Sequence, residues 1–183
     1  MKGFLTKLTA ALAAIVLAAS FAVAAPAAGS QHLAKSVRHE LVTLPYYGVF
    51  DNLEYSVSLD GTVTLAGQVV RPTTKSDAEA RVRRLAGVTR VINQIEVLPL
   101  SSFDDQIRWR AARTIFNTGG LYRYALGGNP SIHIVVKNGR LTLEGVVGSE
   151  LDRRLANAAA LSVPGVFSVT NNLRTDAEIR GAR

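Results

Sequence analysis

The chain has 183 residues, a formal charge of +7 and no cysteine, which excludes disulfides, thiolate chemistry and lipid attachment through a cysteine. A basic excess in an exported protein favours anionic lipid headgroups, anionic glycans or acidic partners over nucleic acid. Export is read from the first residues: Lys2 and Lys7 form a basic start, Leu8 to Val23 is almost wholly apolar, and Ala22-Val23-Ala24 is a small-x-small cleavage site. The prediction is a signal peptide over 1–24, cut after Ala24, and a soluble periplasmic product of 159 residues; an uncleaved anchor is the other reading of the same run.

After a linker at 25–30, Leu33, Val37, Leu41 and Leu44 recur at helical spacing. Pro45-Tyr46-Tyr47-Gly48-Val49-Phe50 follows. Its aromatic residues Tyr46, Tyr47 and Phe50 suit either a partner-binding loop or a cover over the open end of a small core. Tyr55 to Leu59 alternates apolar and polar, Asp60-Gly61 reads as a type I′ turn, and Thr62 to Val69 returns as the partner strand. Gly67 inside that strand marks a bulge or the close approach of a helix to the sheet. A second helix is predicted with Thr74 or Ser76 as N-cap and Ala78, Val82 and Leu85 inward. Gly87 is placed at its left-handed cap, and Val88 to Val97 is the last strand.

The chain then repeats itself. Asp60-Gly61-Thr62-Val63-Thr64-Leu65-Ala66-Gly67 returns as Asn138-Gly139-Arg140-Leu141-Thr142-Leu143-Glu144-Gly145, an offset of 78 that also pairs Gly87-Val88 with Gly165-Val166 and Asn93 with Asn171. The first helices align at 74 instead, with Ile107, Ala111 and Ile115 answering Leu33, Val37 and Leu41, so the link to the first strand is four residues longer in the second copy. Ser102 ahead of Asp104 and Asp105 starts that helix. The expected fold is α+β: two tandem αββαβ domains at 31–99 and 104–175, joined by a linker at 100–103 and followed by a tail at 176–183. Each is a three-stranded mixed sheet with two helices on one face.

The helix spacing, the x-Gly-xx-Thr-Leu-x-Gly pattern over Gly61, Thr64, Leu65 and Gly67, and Gly-Val-xx-Val-x-Asn over Gly87, Val88, Val91 and Asn93 resemble the BON domain. Gly139, Thr142, Leu143, Gly145, Gly165, Val166, Val169 and Asn171 repeat the pattern, so the resemblance spans both halves. It implies a non-enzymatic module of the bacterial envelope that binds phospholipid surfaces or supports envelope integrity and stress tolerance. In some tandem members the second copy meets anionic lipid through its first helix. Several such proteins carry a lipid-anchoring cysteine, and this chain has none.

The second copy is the basic one, with nine Lys/Arg against five Asp/Glu over 104–174, compared with eight against seven over 31–98. With Ile107, Ala111 and Ile115 turned inward, Trp109, Arg113 and Phe116 fall on the opposite side, and Arg108 and Arg110 flank the buried stripe. Tyr122 and Arg123 extend this chemistry into the longer link. Such a face suits an interface with lipid, rings toward the acyl boundary and guanidinium groups on phosphates; burial of Trp109 and Phe116 between the domains is the other reading. The arginine runs at Arg81, Arg83, Arg84, Arg153 and Arg154 read as solvated faces. His32, His39 and His133 lack metal-ligand spacing, no nucleophile elbow accompanies the serines, and no cofactor, metal or catalytic group is expected. Two functions follow as expectations: peripheral binding to an anionic phospholipid surface through Trp109, Arg110, Arg113, Phe116, Tyr122 and Arg123, or binding of an envelope protein through Tyr46, Tyr47 and Phe50.

Overall fold

The computed structural model describes residues 28–181; the expected signal peptide lies outside them. The first half runs α1 (Ala28–Val42), β1 (Asn52–Val57), β2 (Thr62–Val69), α2 (Pro72–Arg83), β3 (Arg90–Asn93) and β4 (Glu96–Val97). The second runs α3 (Ser102–Phe116), a 3-10 turn (Leu121–Ala125), β5 (Ile132–Lys137), β6 (Arg140–Val147), α4 (Glu150–Leu161), β7 (Ser168–Asn171), β8 (Arg174–Thr175) and α5 (Asp176–Gly181). These are two α+β domains of one design. In each, the hairpin is antiparallel and the strands after the second helix run parallel to its inner strand.

The 3.6-residue spacing is what buries one stripe of each first helix: Leu33, Val37 and Leu41 in α1, and Ile107, Ala111 and Ile115 in α3. They meet the inward residues of the inner strand, Val63, Leu65 and Val69 or Leu141, Leu143 and Val147. The repeat extends to individual hydrogen bonds. Asn93 donates to the Lys75 carbonyl and accepts from the Ile95 amide, and Asn171 does the same with Arg153 and Leu173. At each asparagine the ladder is interrupted for two residues and resumes in the same register, splitting the expected single strand into β3 and β4, or β7 and β8.

Several local expectations shift. Ser101, not Ser102, caps α3, its hydroxyl accepting from the Asp104 amide at 3.1 Å. Helix α2 starts three residues earlier than the nearer expected cap, Thr74, would place it, because Pro72 presets its first turn; Arg71 is the N-cap, and Thr74 is buried inside the helix. Only the second hairpin has a two-residue turn with both residues left-handed, Asn138 at φ 53° and Gly139 at 71°. In the first, the Ser58 amide donates to the Thr62 carbonyl around a three-residue loop in which only Gly61 is left-handed. Gly87 and Gly165 are left-handed too, but in turns three residues beyond the C-caps Arg84 and Ser162. Gly67 and Gly145 lie opposite Leu53 and Ile132, where a Cβ would strike the carbonyl oxygen of Asn52 or Ser131. Their neighbour is thus the adjoining strand, not a helix. The tail is not all coil: α5 begins with Thr175 and Glu178 capping each other's amides.

The domains pack through β5. Ile132, Ile134 and Val136 face their own helices, yet His133 and Val135 on the other face are also buried, because the first domain covers them. The Val49 carbonyl accepts from the Ile134 amide at 2.7 Å, and Lys137 pairs with Glu96 at 2.5 Å.

Candidate functional site

The longer link of the second copy folds into a clasp. Leu121 is buried beneath α3 while Tyr122, at 62% exposure, points to solvent. Arg123 is not free: it pairs with Asp152 at 2.7 Å, donates to the Tyr124 hydroxyl at 3.1 Å and lies over the Tyr124 ring. The same hydroxyl donates to Asp152 and accepts from the Gly148 amide. Burial raises the Asp152 pKa, but bonds from Ser149, Tyr124 and Arg123 outweigh it and hold the carboxyl below its usual range. Arg123 therefore fastens the link to α4.

On α3 the expected faces divide differently. Arg108, expected to flank the stripe, is buried: its guanidinium donates to the Val136 carbonyl at 2.7 Å and to Asp105 at 2.5 Å. Phe116, expected to point outward, is half-buried against the second core. What remains outside is Trp109, Arg110 and Arg113. Arg110 reaches Gln106 at 3.0 Å and the Pro164 carbonyl at 3.5 Å. The Arg113 side chain makes no hydrogen bond or ion pair among the described residues. Of the two acids on α3, Asp104 is buried and Asp105 is bound to Arg108, so neither offsets Arg113.

Trp109 lies at the edge of the domain contact, neither buried in it nor clear of it. Phe50 of the first domain meets it edge to face, centroids 4.9 Å apart at 82°, yet the indole is 67% exposed. The first domain thus steadies one side of the ring and leaves the other open.

The aromatic loop is mostly occupied. Val49 and Phe50 pack on the second core, and Tyr47 stacks on His133 with centroids 5.4 Å apart. Of its aromatic rings only Tyr46 stays exposed, with Arg71 over it. Residue periodicity could not show this docking, and His133 carried no signal of its own. Because a carbonyl can only accept, the 3.2 Å contact to the Gly48 carbonyl places a proton on His133 Nδ1, leaving Nε2 to face the Tyr47 hydroxyl at 3.5 Å. Burial lowers the His133 pKa and pushes that of Tyr47 up to about 12. Asp51 is raised by burial and held by the Gly48 and Val70 amides; Glu144 is the cross-strand partner of His133, and Arg38, Glu54, Glu144 and Arg174 line the open cleft of about 800 Å³ beside the ring.

A depressed histidine binds its proton less readily folded than unfolded. Its destabilising effect is absent above about pH 6.5 and grows below it. Urea unfolding of the whole chain should show stability falling from pH 7.5 to 5.5, and His133→Gln should flatten that fall. Equal slopes for both proteins would remove His133 from the explanation.

Among the described residues no group of three or more His, Asp or Glu could hold a metal, and no helix is long and apolar enough to cross a membrane. The fold and this surface define a class: a tandem α+β binding module whose second copy carries the exposed aromatic and unpaired cation. The family model described as the BON domain matches residues 30–99 and 122–177, and the chain belongs to that family. The BON family is a non-catalytic, binding-type family associated with the cell envelope. No protein of curated function matches the chain. The C-terminal domain of CdsD, the structural protein of the type III secretion system of Chlamydia trachomatis, is similar at 15% identity and TM-score 0.33, over 82% of this chain and 67% of that one. A second CdsD structure gives 12% and 0.31, over 82% and 97%. Likeness of that degree carries no argument about function.

Proposed function

We propose that this chain is a periplasmic, non-enzymatic module that binds anionic phospholipid surfaces peripherally through the outer face of α3, supporting envelope integrity or stress tolerance. The observation that carries the reading is the pairing of a two-thirds-exposed Trp109 with an Arg113 guanidinium that has no partner of its own. An indole gains by sitting at the headgroup level, and each arginine near an anionic surface contributes about 1 kcal/mol. Lys35 and His39 stand at the matching places of α1, so the first copy lacks the ring. Arg110 joins the face; Phe116 packs on the second core behind it, and Arg123 fastens the link that carries Tyr122 to α4. Binding of an envelope protein through the 45–50 loop has less support, since Tyr47 and Phe50 already contact the second domain.

Trp109 is the only tryptophan, so its emission reports directly on the face. Phosphatidylcholine vesicles containing phosphatidylglycerol should bind the chain and shift that emission to the blue, whereas pure phosphatidylcholine should not. Binding should weaken with salt. Trp109→Ala with Arg113→Glu should weaken it by roughly tenfold or more, since it removes one ring and reverses one charge. Wild-type binding by that variant would overturn the assignment.

A further inference from the structure

Across α3 from Trp109, beyond Arg110, the second domain exposes a pair of rings. Phe103, in the first turn of α3, and Phe167, in the turn leading to β7, lie with centroids 5.9 Å apart and are 43% and 74% exposed. Leu161, which ends α4 just before that turn, is 62% exposed. Arg110 stands between the ring pair and Arg113 on the helix and reaches the Pro164 carbonyl of the same turn.

The internal repeat shows that the fold does not need these side chains. At the offsets that align the copies, Gly29 answers Phe103, Arg83 answers Leu161 and Thr89 answers Phe167. Thr89 holds its hairpin turn with a 2.8 Å hydrogen bond to the Asp60 carbonyl. In the second copy the Asp104 carboxylate secures the equivalent turn, leaving Phe167 to lie over Gly139 with most of its ring in water. Three apolar side chains have thus gathered at one end of the second domain, where the first has glycine, a cation and a threonine. They rise from the start of α3, the end of α4 and the turn before β7, and neither open cleft takes them into its lining. Exposed rings with arginines beside them match a surface whose interior is apolar and whose skin is anionic.

We infer that the Phe103–Phe167 pair is the element that enters the acyl boundary of an anionic bilayer, while Arg110 and Arg113 hold the phosphates beside it. This rests on the membrane reading above and adds a second apolar contact to Trp109, so that α3 lies along the surface with a ring at either flank.

Phe103→Ser with Phe167→Thr, which restores the first domain's threonine, should keep the circular dichroism and melting of the wild type. It should lower affinity for vesicles of phosphatidylcholine with phosphatidylglycerol by roughly tenfold or more. If that variant binds as wild type while Trp109→Ala with Arg113→Glu does not, the ring pair is excluded and the α3 reading stands; if the wild type binds no vesicles, both fall. A second measurement leaves both rings in place. The chain has no cysteine, so Ser168→Cys can carry a single environment-sensitive dye next to Phe167. Its emission should rise on vesicles and be quenched by nitroxide on the upper acyl chain. Unchanged emission on bound protein would overturn the inference. So would a wild-type dimer that the double variant makes monomeric without any change in vesicle binding, because the rings would then cover a second copy of the chain.

Discussion

Replacing Gly145 by alanine is expected to unfold the second domain, with a loss of about 4 kcal/mol or more. Two effects add. The residue has φ 117°, a conformation L side chains rarely adopt, and the new Cβ would strike the Ser131 carbonyl oxygen, a backbone atom that cannot rotate away. Relief requires β5 to move, but β5 is buried on both faces and bonded to the first domain through Ile134 and Val49. The damage should therefore reach the docking of the two domains as well. Urea unfolding followed by Trp109 emission would read it, with Gly128→Ala, where a Cβ meets nothing within 4 Å, as a control expected to change stability by less than about 0.5 kcal/mol. A Gly145→Ala protein as stable as that control would refute the close-approach argument.

Asp104→Ala should destabilise the second domain by about 3 kcal/mol. The carboxylate is buried and accepts from the amides of Asn138 and Gly139 at 2.9 and 2.8 Å, so alanine leaves two donors unpaired at the hairpin turn. It also releases the start of α3 from the turn beneath Phe167. The variant should melt lower and exchange the Gly139 amide hydrogen faster, and Asp104→Asn, which keeps one acceptor, should lie between. A melting temperature within a degree of wild type would show that the bonds carry little.

The order of elements was legible because it rests on local repetition. Leu33, Val37 and Leu41, and again Ile107, Ala111 and Ile115, announce a buried stripe by spacing alone, and Asn138-Gly139 announces its turn by backbone preference. The boundaries that moved did so for equally local reasons that competed with the expected ones. Pro72 displaced Thr74 as a starting point, and Ser101, three residues before Asp104, is the hydroxyl placed to accept the Asp104 amide. Of the candidate surface, the sequence placed Trp109, Arg113 and Phe116 on the outer side of α3 with Arg108 and Arg110 at its flanks; Trp109, Arg110 and Arg113 are exposed, whereas Arg108 is buried and Phe116 half-buried. Arg123 is tied into the fold by its ion pair. A helical wheel assigns an angle, but burial depends on which neighbour stands at that angle. Arg108 finds the Val136 carbonyl, Phe116 finds the second core, and Arg123 finds Asp152, each across a gap in sequence that no short-range pattern spans.

The sequence by itself determined the duplication, the αββαβ order of each copy and the concentration of basic and aromatic residues in the second, because periodicity and turn chemistry act between residues a few positions apart. The tertiary structure alone decided that the 45–50 loop closes on β5, that Phe50 steadies one side of Trp109, and that Phe103 meets Phe167 at the domain's end. Those contacts join residues tens of positions apart, and they exist only once both cores have closed and brought their surfaces together.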